Sequence, residues 1–152
     1  MNHVFAITPA GVKPLWLLAP VGILLLGIAL LPAESAYGAN AARFEVLPAG
    51  LRLRGDIYGR LIPAAAIRGG AARLVNLRAE RAYAPRWRTL GIAVPGYRAG
   101  WFRLVNGEKA LLYVTDGTRV VYVPTRAGYA VLVSPREPER FLAELRALAP
   151  GS

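Results

Sequence analysis

The sequence predicts a mainly β domain, an antiparallel barrel or sandwich closed by one C-terminal helix, behind a single transmembrane helix. Three observations carry that expectation. Trp101 to Leu148 reads as alternating segments divided by turn dipeptides, followed by one helix signature. Ala42 to Leu77 shows the same alternation. Between Lys13 and Glu34 there is no charged residue.

The uncharged run, residues 14–33, holds 20 residues. At helical rise it spans roughly 30 Å, the thickness of a bilayer core. Its centre, Val21 to Leu31, is apolar on every face, and Trp16 sits where an indole suits the interface. Pro20 is tolerated in a membrane helix. Two other readings stay open. A cleaved signal peptide is disfavoured by an n-region carrying only Lys13, and by Glu34 or Leu31 at −3 of the candidate sites before Tyr37 and Glu34. A buried core helix this apolar is rare in a domain of this size. Upstream lie His3, Lys13 and the amino terminus; downstream come Arg43, Arg52, Arg54 and Arg60. The positive-inside rule therefore puts the C-terminal domain in the cytoplasm. The expected organisation is a short segment 1–13, the span 14–33, a linker 34–42, a domain 43–148 and a tail 149–152.

Within the domain, Phe44 and Val46 alternate with Arg43 and Glu45 up to Pro48-Ala49-Gly50. Leu51 and Leu53 resume the period, which leaves Arg52 and Arg54 together on the opposite face. Asp56 to Pro63 reads as a third strand with a bulge at Gly59, Ile67 as an inward residue, and Ala72 to Leu77 as a fourth strand. Residues 78–100 show no period and read as a long irregular segment, too apolar for disorder. It interleaves Arg78, Arg81, Arg86, Arg88 and Arg98 with Tyr83, Trp87 and Tyr97. Such arginine forks beside aromatic rings suit phosphate or carboxylate. The plainer arrangement, which is preferred, packs Trp87 on the barrel and leaves the arginines solvated.

Trp101 to Val105 ends at Asn106-Gly107, and Lys109 to Thr115 ends at Asp116-Gly117, both strong hairpin dipeptides. Arg119 to Val123 and Tyr129 to Val133 complete an expected antiparallel meander. Ser134-Pro135-Arg136-Glu137 has the pattern of a capping box, with proline at the first helical position. Phe141, Leu142, Leu145 and Leu148 then follow at helical spacing.

Composition removes several functions. There is no cysteine, and His3, the only histidine, precedes the span. The domain therefore lacks imidazole or thiolate for catalysis or metal binding. Ser35, Ser134 and Ser152 have no base nearby in sequence, and no phosphate-loop motif occurs. No enzyme activity and no cofactor is expected. The net charge is +10, and all but Lys13 of the 19 basic residues lie downstream of the span. That excess attracts anionic lipid headgroups or nucleic acid. Single-strand binders do place aromatics beside positive charge on small barrels, but a membrane anchor and core-type aromatics argue against nucleic acid.

Gly96-Tyr97-Arg98-Ala99-Gly100-Trp101-Phe102-Arg103-Leu104, Asn106-Gly107-Glu108-Lys109-Ala110 and Ser134-Pro135-Arg136-Glu137-Pro138-Glu139-Arg140-Phe141 resemble the bacterial pleckstrin-homology (PH) domain family. The closer resemblance is to its membrane-anchored branch, and it covers about residues 40–148. It implies a PH-like barrel of about seven strands with a C-terminal helix, no catalytic residues, and a place in the bacterial inner membrane. One position departs: Leu90 stands in Arg88-Thr89-Leu90-Gly91 where a polar residue, asparagine, is the expected type. The expected function is a non-catalytic binding or scaffolding module docking on anionic lipid through Arg52, Arg54, Arg86, Arg88 and Arg98. The alternative is a protein-interaction or self-assembly module that takes a peptide or a second copy along a barrel edge or groove.

Overall fold

The structure, a computed structural model, describes Pro20, Ile23 and residues 42–55 and 57–150. The chain divides into two compact units, Met1–Glu34 and Ser35–Ser152. Of the first, Pro20 and Ile23 are helical; the rest of the predicted span 14–33, most of the linker and the membrane topology lie outside the described residues. Among the described residues no helix is long and apolar enough to cross a membrane.

The second unit has two sheets. Strands β1 (Arg43–Leu47), β2 (Gly50–Arg54) and β3 (Arg60–Pro63) form an antiparallel sheet in sequential order. The alternation works as expected: Phe44 pairs with Leu53 and Val46 with Leu51 on the inner face, Glu45 with Arg52 on the outer. The third strand is shorter than its sequence suggests, because Ile57 and Tyr58 form a turn and the strand begins only at Arg60. The second sheet contains β4 (Arg73–Val75), β5 (Pro85–Val94), β6 (Tyr97–Leu104), β7 (Lys109–Val114), β8 (Val120–Pro124) and β9 (Ala130–Val133), in the order β4-β8-β9-β7-β6-β5.

That makes nine strands among the described residues, not about seven, and the last strands are not a simple meander. The Asp116-Gly117 turn does not join neighbours. Strand β9 inserts between β8 and β7, antiparallel to the first and parallel to the second. The reason lies in its composition. Ala130, Val131, Leu132 and Val133 are apolar on both faces, and all four are buried. Such a strand has to be covered on both sides, which only a central position provides.

Both faces of the large sheet are therefore apolar at its middle. On one face Leu111, Tyr113, Val121, Val123, Val131 and Val133 pack with Leu51, Leu53 and Ile62 of the small sheet and with the closing helix. On the other, Phe102, Leu104, Leu112, Val114, Val120 and Leu132 cluster with Val75 and Leu77, and Tyr83 packs against them from the β4–β5 connection. Ile67 is buried as expected, after a 3-10 turn at Ala64–Ala66.

The helix α1 (Pro138–Leu148) starts three residues later than the capping-box reading predicts. Two facts explain the shift. The Ser134 hydroxyl is already engaged: it accepts the Thr115 N–H at 2.8 Å and bonds the Thr115 hydroxyl at 3.0 Å. Pro138 also bars the residue before it from helical backbone, and Glu137 has φ −117° and ψ 74°. Proline at the first helical position survives as a signal, but the proline is the second one. Phe141, Leu142 and Leu145 are buried as their spacing predicts. Arg146 pins the far end, donating to the Ala72 carbonyl at 3.2 and 2.7 Å.

Candidate functional site

Residues 78–100, read as irregular, contain the longest described strand, β5, and the start of β6. Its period is hidden by two register shifts, between Pro85 and Trp87 and between Arg88 and Leu90. Each bulge inserts a residue and resets which face follows. Trp87 lies opposite Arg103, Leu90 opposite Trp101 and Ile92 opposite Ala99, so all three point to one face. In an unbulged strand the odd spacing between Trp87 and Leu90 would have put them on opposite faces.

Gly91 and Gly100 form the pivot. They face each other across the two strands with φ of 139° and 115°. A Cβ on Gly100 would lie 2.4 Å from the Leu90 carbonyl oxygen, and one on Gly91 2.2 Å from that of Ala99. Only glycine permits this approach.

The face so formed belongs to the side of the sheet that β1–β3 and the helix cover elsewhere. At β5 the residues are open: Trp87 is 57 %, Leu90 59 % and Ile92 45 % exposed. The preferred reading of a packed Trp87 is thus overturned, because β5 is an edge strand paired only with β6. Cations surround the strip. The Arg86 guanidinium sits 4.7 Å from the Trp87 ring. Arg60 of β3 and Lys109 of β7 lie 4.8 and 4.4 Å from the Trp101 ring, which also stands edge-on to Tyr129. Arg103 pairs with both Trp87 and Lys109 in the strand register. Among the described residues, no ion pair ties Arg60, Arg86, Arg103 or Lys109 to a carboxylate.

The five arginines named from sequence are not one cluster. Arg52 and Arg54 share the outer face of the small sheet, as predicted, with Glu45 opposite Arg52 and 3.9 Å from the Arg54 guanidinium. Arg86 stacks on Trp87. Arg88, opposite Phe102, occupies the reverse face of β5. Arg98, opposite Ala93 and Val114, is also on that reverse face and lines a cleft with Arg78 and Arg81. Sequence reasoning missed Arg60, Arg103 and Lys109, whose signal is cross-strand register. It also missed Leu90 and Ile92 as surface residues.

Catalytic chemistry has little to work with here. Among the described residues no charged side chain is buried and no cluster of His, Cys, Asp or Glu could hold a metal. Ser134 is tied to Thr115. Hydrogen bonds from Thr118 hold the Asp116 carboxyl below its ordinary range. Burial, then the Glu108 carboxylate it donates to, push the Tyr122 hydroxyl well up. Both are local structural bonds.

No curated protein and no solved structure matches this sequence. A family model does: the bacterial PH domain matches residues 43–149, which takes in both sheets and the closing helix. With most of its length inside that match, the chain belongs to the bacterial PH domain family.

Proposed function

We propose that this chain is a membrane-anchored, non-catalytic docking module that lays the open face of β5 on an anionic bilayer. The observation that carries the reading is the strip of Trp87, Leu90 and Ile92, apolar and open, ringed by Arg60, Arg86, Arg103 and Lys109. Apolar and indole groups enter the interfacial layer while cations meet headgroups, each worth about 1 kcal/mol near the surface. The uncharged segment 14–33 would hold the module at the bacterial inner membrane, with the domain on the cytoplasmic side. In that setting docking is intramolecular, so even a weak surface affinity suffices.

The test uses the unit Ser35–Ser152. Flotation with neutral and anionic vesicles at low and physiological salt should show binding to the anionic ones only. Trp87→Ala combined with Leu90→Ala should abolish the binding that survives physiological salt. Equal binding by the double variant removes this face from the account.

One observation favours a second reading. β5 is ten residues long and its outer edge has no partner strand among the described residues. A free edge of that length can accept an added strand from a partner peptide or a second copy. Reversing Arg86 and Arg103 to Glu separates the two: strand addition depends on backbone groups and tolerates the change, whereas lipid docking does not.

A further inference from the structure

The reverse face of the large sheet carries a second feature. The β4–β5 connection, the β5–β6 turn and the end of β7 enclose a cleft of about 600 Å³, the size of a small-molecule site. Arg78, Arg81 and Arg98 line it, together with Leu77, Val114 and Thr115. No lining residue is acidic. Among the described residues none of the three arginines has an ion-pair partner. Asp116, next in sequence to Thr115, spends one carboxylate oxygen on its own loop, accepting the Thr118 N–H at 2.8 Å and the Thr118 hydroxyl at 2.6 Å, and its charge is felt by Arg78 and by Arg119 outside the cleft without an ion pair to either.

The arginines come from two fixed places. Arg98 is in β6, between Ala93 and Val114. Arg78 and Arg81 sit on a connection held at several points: Asn76 Oδ1 accepts the Arg78 N–H at 3.0 Å, and the Leu77 N–H donates to the Gly117 carbonyl at 2.8 Å. The Val105 and Asn106 N–H groups reach back to the Ala84 and Ala82 carbonyls, each at 3.0 Å. Three like charges around one cavity repel one another, and only Arg78 has a carboxylate, that of Asp116, near enough to offset part of that cost.

We propose that this cleft binds a small phosphate-bearing anion. A single carboxylate neutralises one guanidinium, whereas a phosphomonoester carries about 1.5 to 2 negative charges at neutral pH and pyrophosphate more, with enough oxygens for three forks. The apolar walls at Leu77 and Val114 leave room for the group that carries the phosphate. A lipid headgroup and a soluble molecule can each carry the phosphate, and the recognition chemistry is the same. This site is independent of the lipid-docking reading, because none of Trp87, Leu90 and Ile92 lines it.

The full chain in phosphatidylcholine nanodiscs provides the test, by calorimetric titration with inorganic pyrophosphate and inorganic phosphate against sulfate at matched ionic strength. Saturable binding of pyrophosphate, tighter than sulfate, is expected. Arg98→Gln and Arg81→Gln should each weaken it about tenfold, the scale of one lost charge-assisted bond. Arg126→Gln, in the β8–β9 turn, should leave it unchanged. Nanodiscs containing phosphatidic acid separate the sources: lost pyrophosphate affinity there identifies a headgroup, and retained affinity a soluble phosphate. If pyrophosphate binds no better than sulfate in either nanodisc, or if Arg98→Gln and Arg81→Gln both bind as the parent does, the site is refuted.

Discussion

Strands β9 and β5 lie in one sheet and live in opposite surroundings. β9 has four residues, all buried, and is paired along both edges. β5 has ten, none buried, and is paired along one. Both are rich in residues that prefer strands, so composition alone does not separate them. In β9 the apolar side chains are accounted for by the core on either side. In β5 Trp87, Leu90 and Ile92 have no such account, since the fold covers none of them. Apolar area left open on an edge is an aggregation liability unless something else covers it. With the function proposed above, the contrast places stability at the centre of the sheet and recognition at its edge.

The most direct way to break that assignment is a matched pair of truncations. Leu132→Ala removes a fully buried side chain and should cost about 3 kcal/mol in urea unfolding of Ser35–Ser152. Leu90→Ala, at an open position, should cost well under about 1 kcal/mol. Similar costs would mean that the β5 face is covered in solution, by another copy for example. Gly100→Ala comes next, at about 2 kcal/mol, because the new Cβ would press on the backbone of Leu90 and Gly91 at positive φ. Its loss should be local: hydrogen exchange should rise in the amides joining β5 to β6 and stay low in β9. Uniform deprotection would instead show that the edge and the centre unfold as one unit.

These two strands also mark how far the sequence could be read. The small sheet and the buried face of α1 are legible because one period runs through each: Leu51 and Leu53, or Phe141, Leu142 and Leu145, need no tertiary information; β9 is legible as an unbroken apolar run between turn residues. The order of the strands is not legible, since nothing local to Asp116-Gly117 tells that β8 must skip a place for β9. β5 is illegible for a different reason. Its bulges break the period, and a bulge is visible only when the partner strand is known; Gly91 and Gly100, nine residues apart, are its sole trace in the sequence. The same holds for the candidate sites. Arg86, Arg88 and Arg98 are conspicuous in the sequence. Their separation onto two faces, and the arrival of Arg60, Arg103 and Lys109 beside the indoles, are products of register.

The smallest expected effect sharpens the comparison at β8, whose Tyr122 is neither wholly core nor open. Its hydroxyl donates to the Glu108 carboxylate at 3.1 and 3.0 Å from the two oxygens, and its ring stands edge-on to Tyr83 at 4.9 Å. Burial first, and Glu108 second, raise its pKa above that of an ordinary tyrosine. An unfolded tyrosine ionises near 10, so above that pH the unfolded state releases a proton that the native state retains. The stability that this bond supplies is whole below about pH 10 and is lost as the pH climbs from there towards the higher native value. Tyr122→Phe should cost about 1 kcal/mol at neutral pH, because the Glu108 carboxylate loses a donor but stays in reach of water. The gap between parent and variant should then narrow as unfolding is measured from about pH 9 to about pH 11. A gap that stays constant would mean that Tyr122 acts by shape alone, as β9 does. A gap that closes would place β8 between the two extremes, with its stability resting partly on a polar contact at the margin of the core.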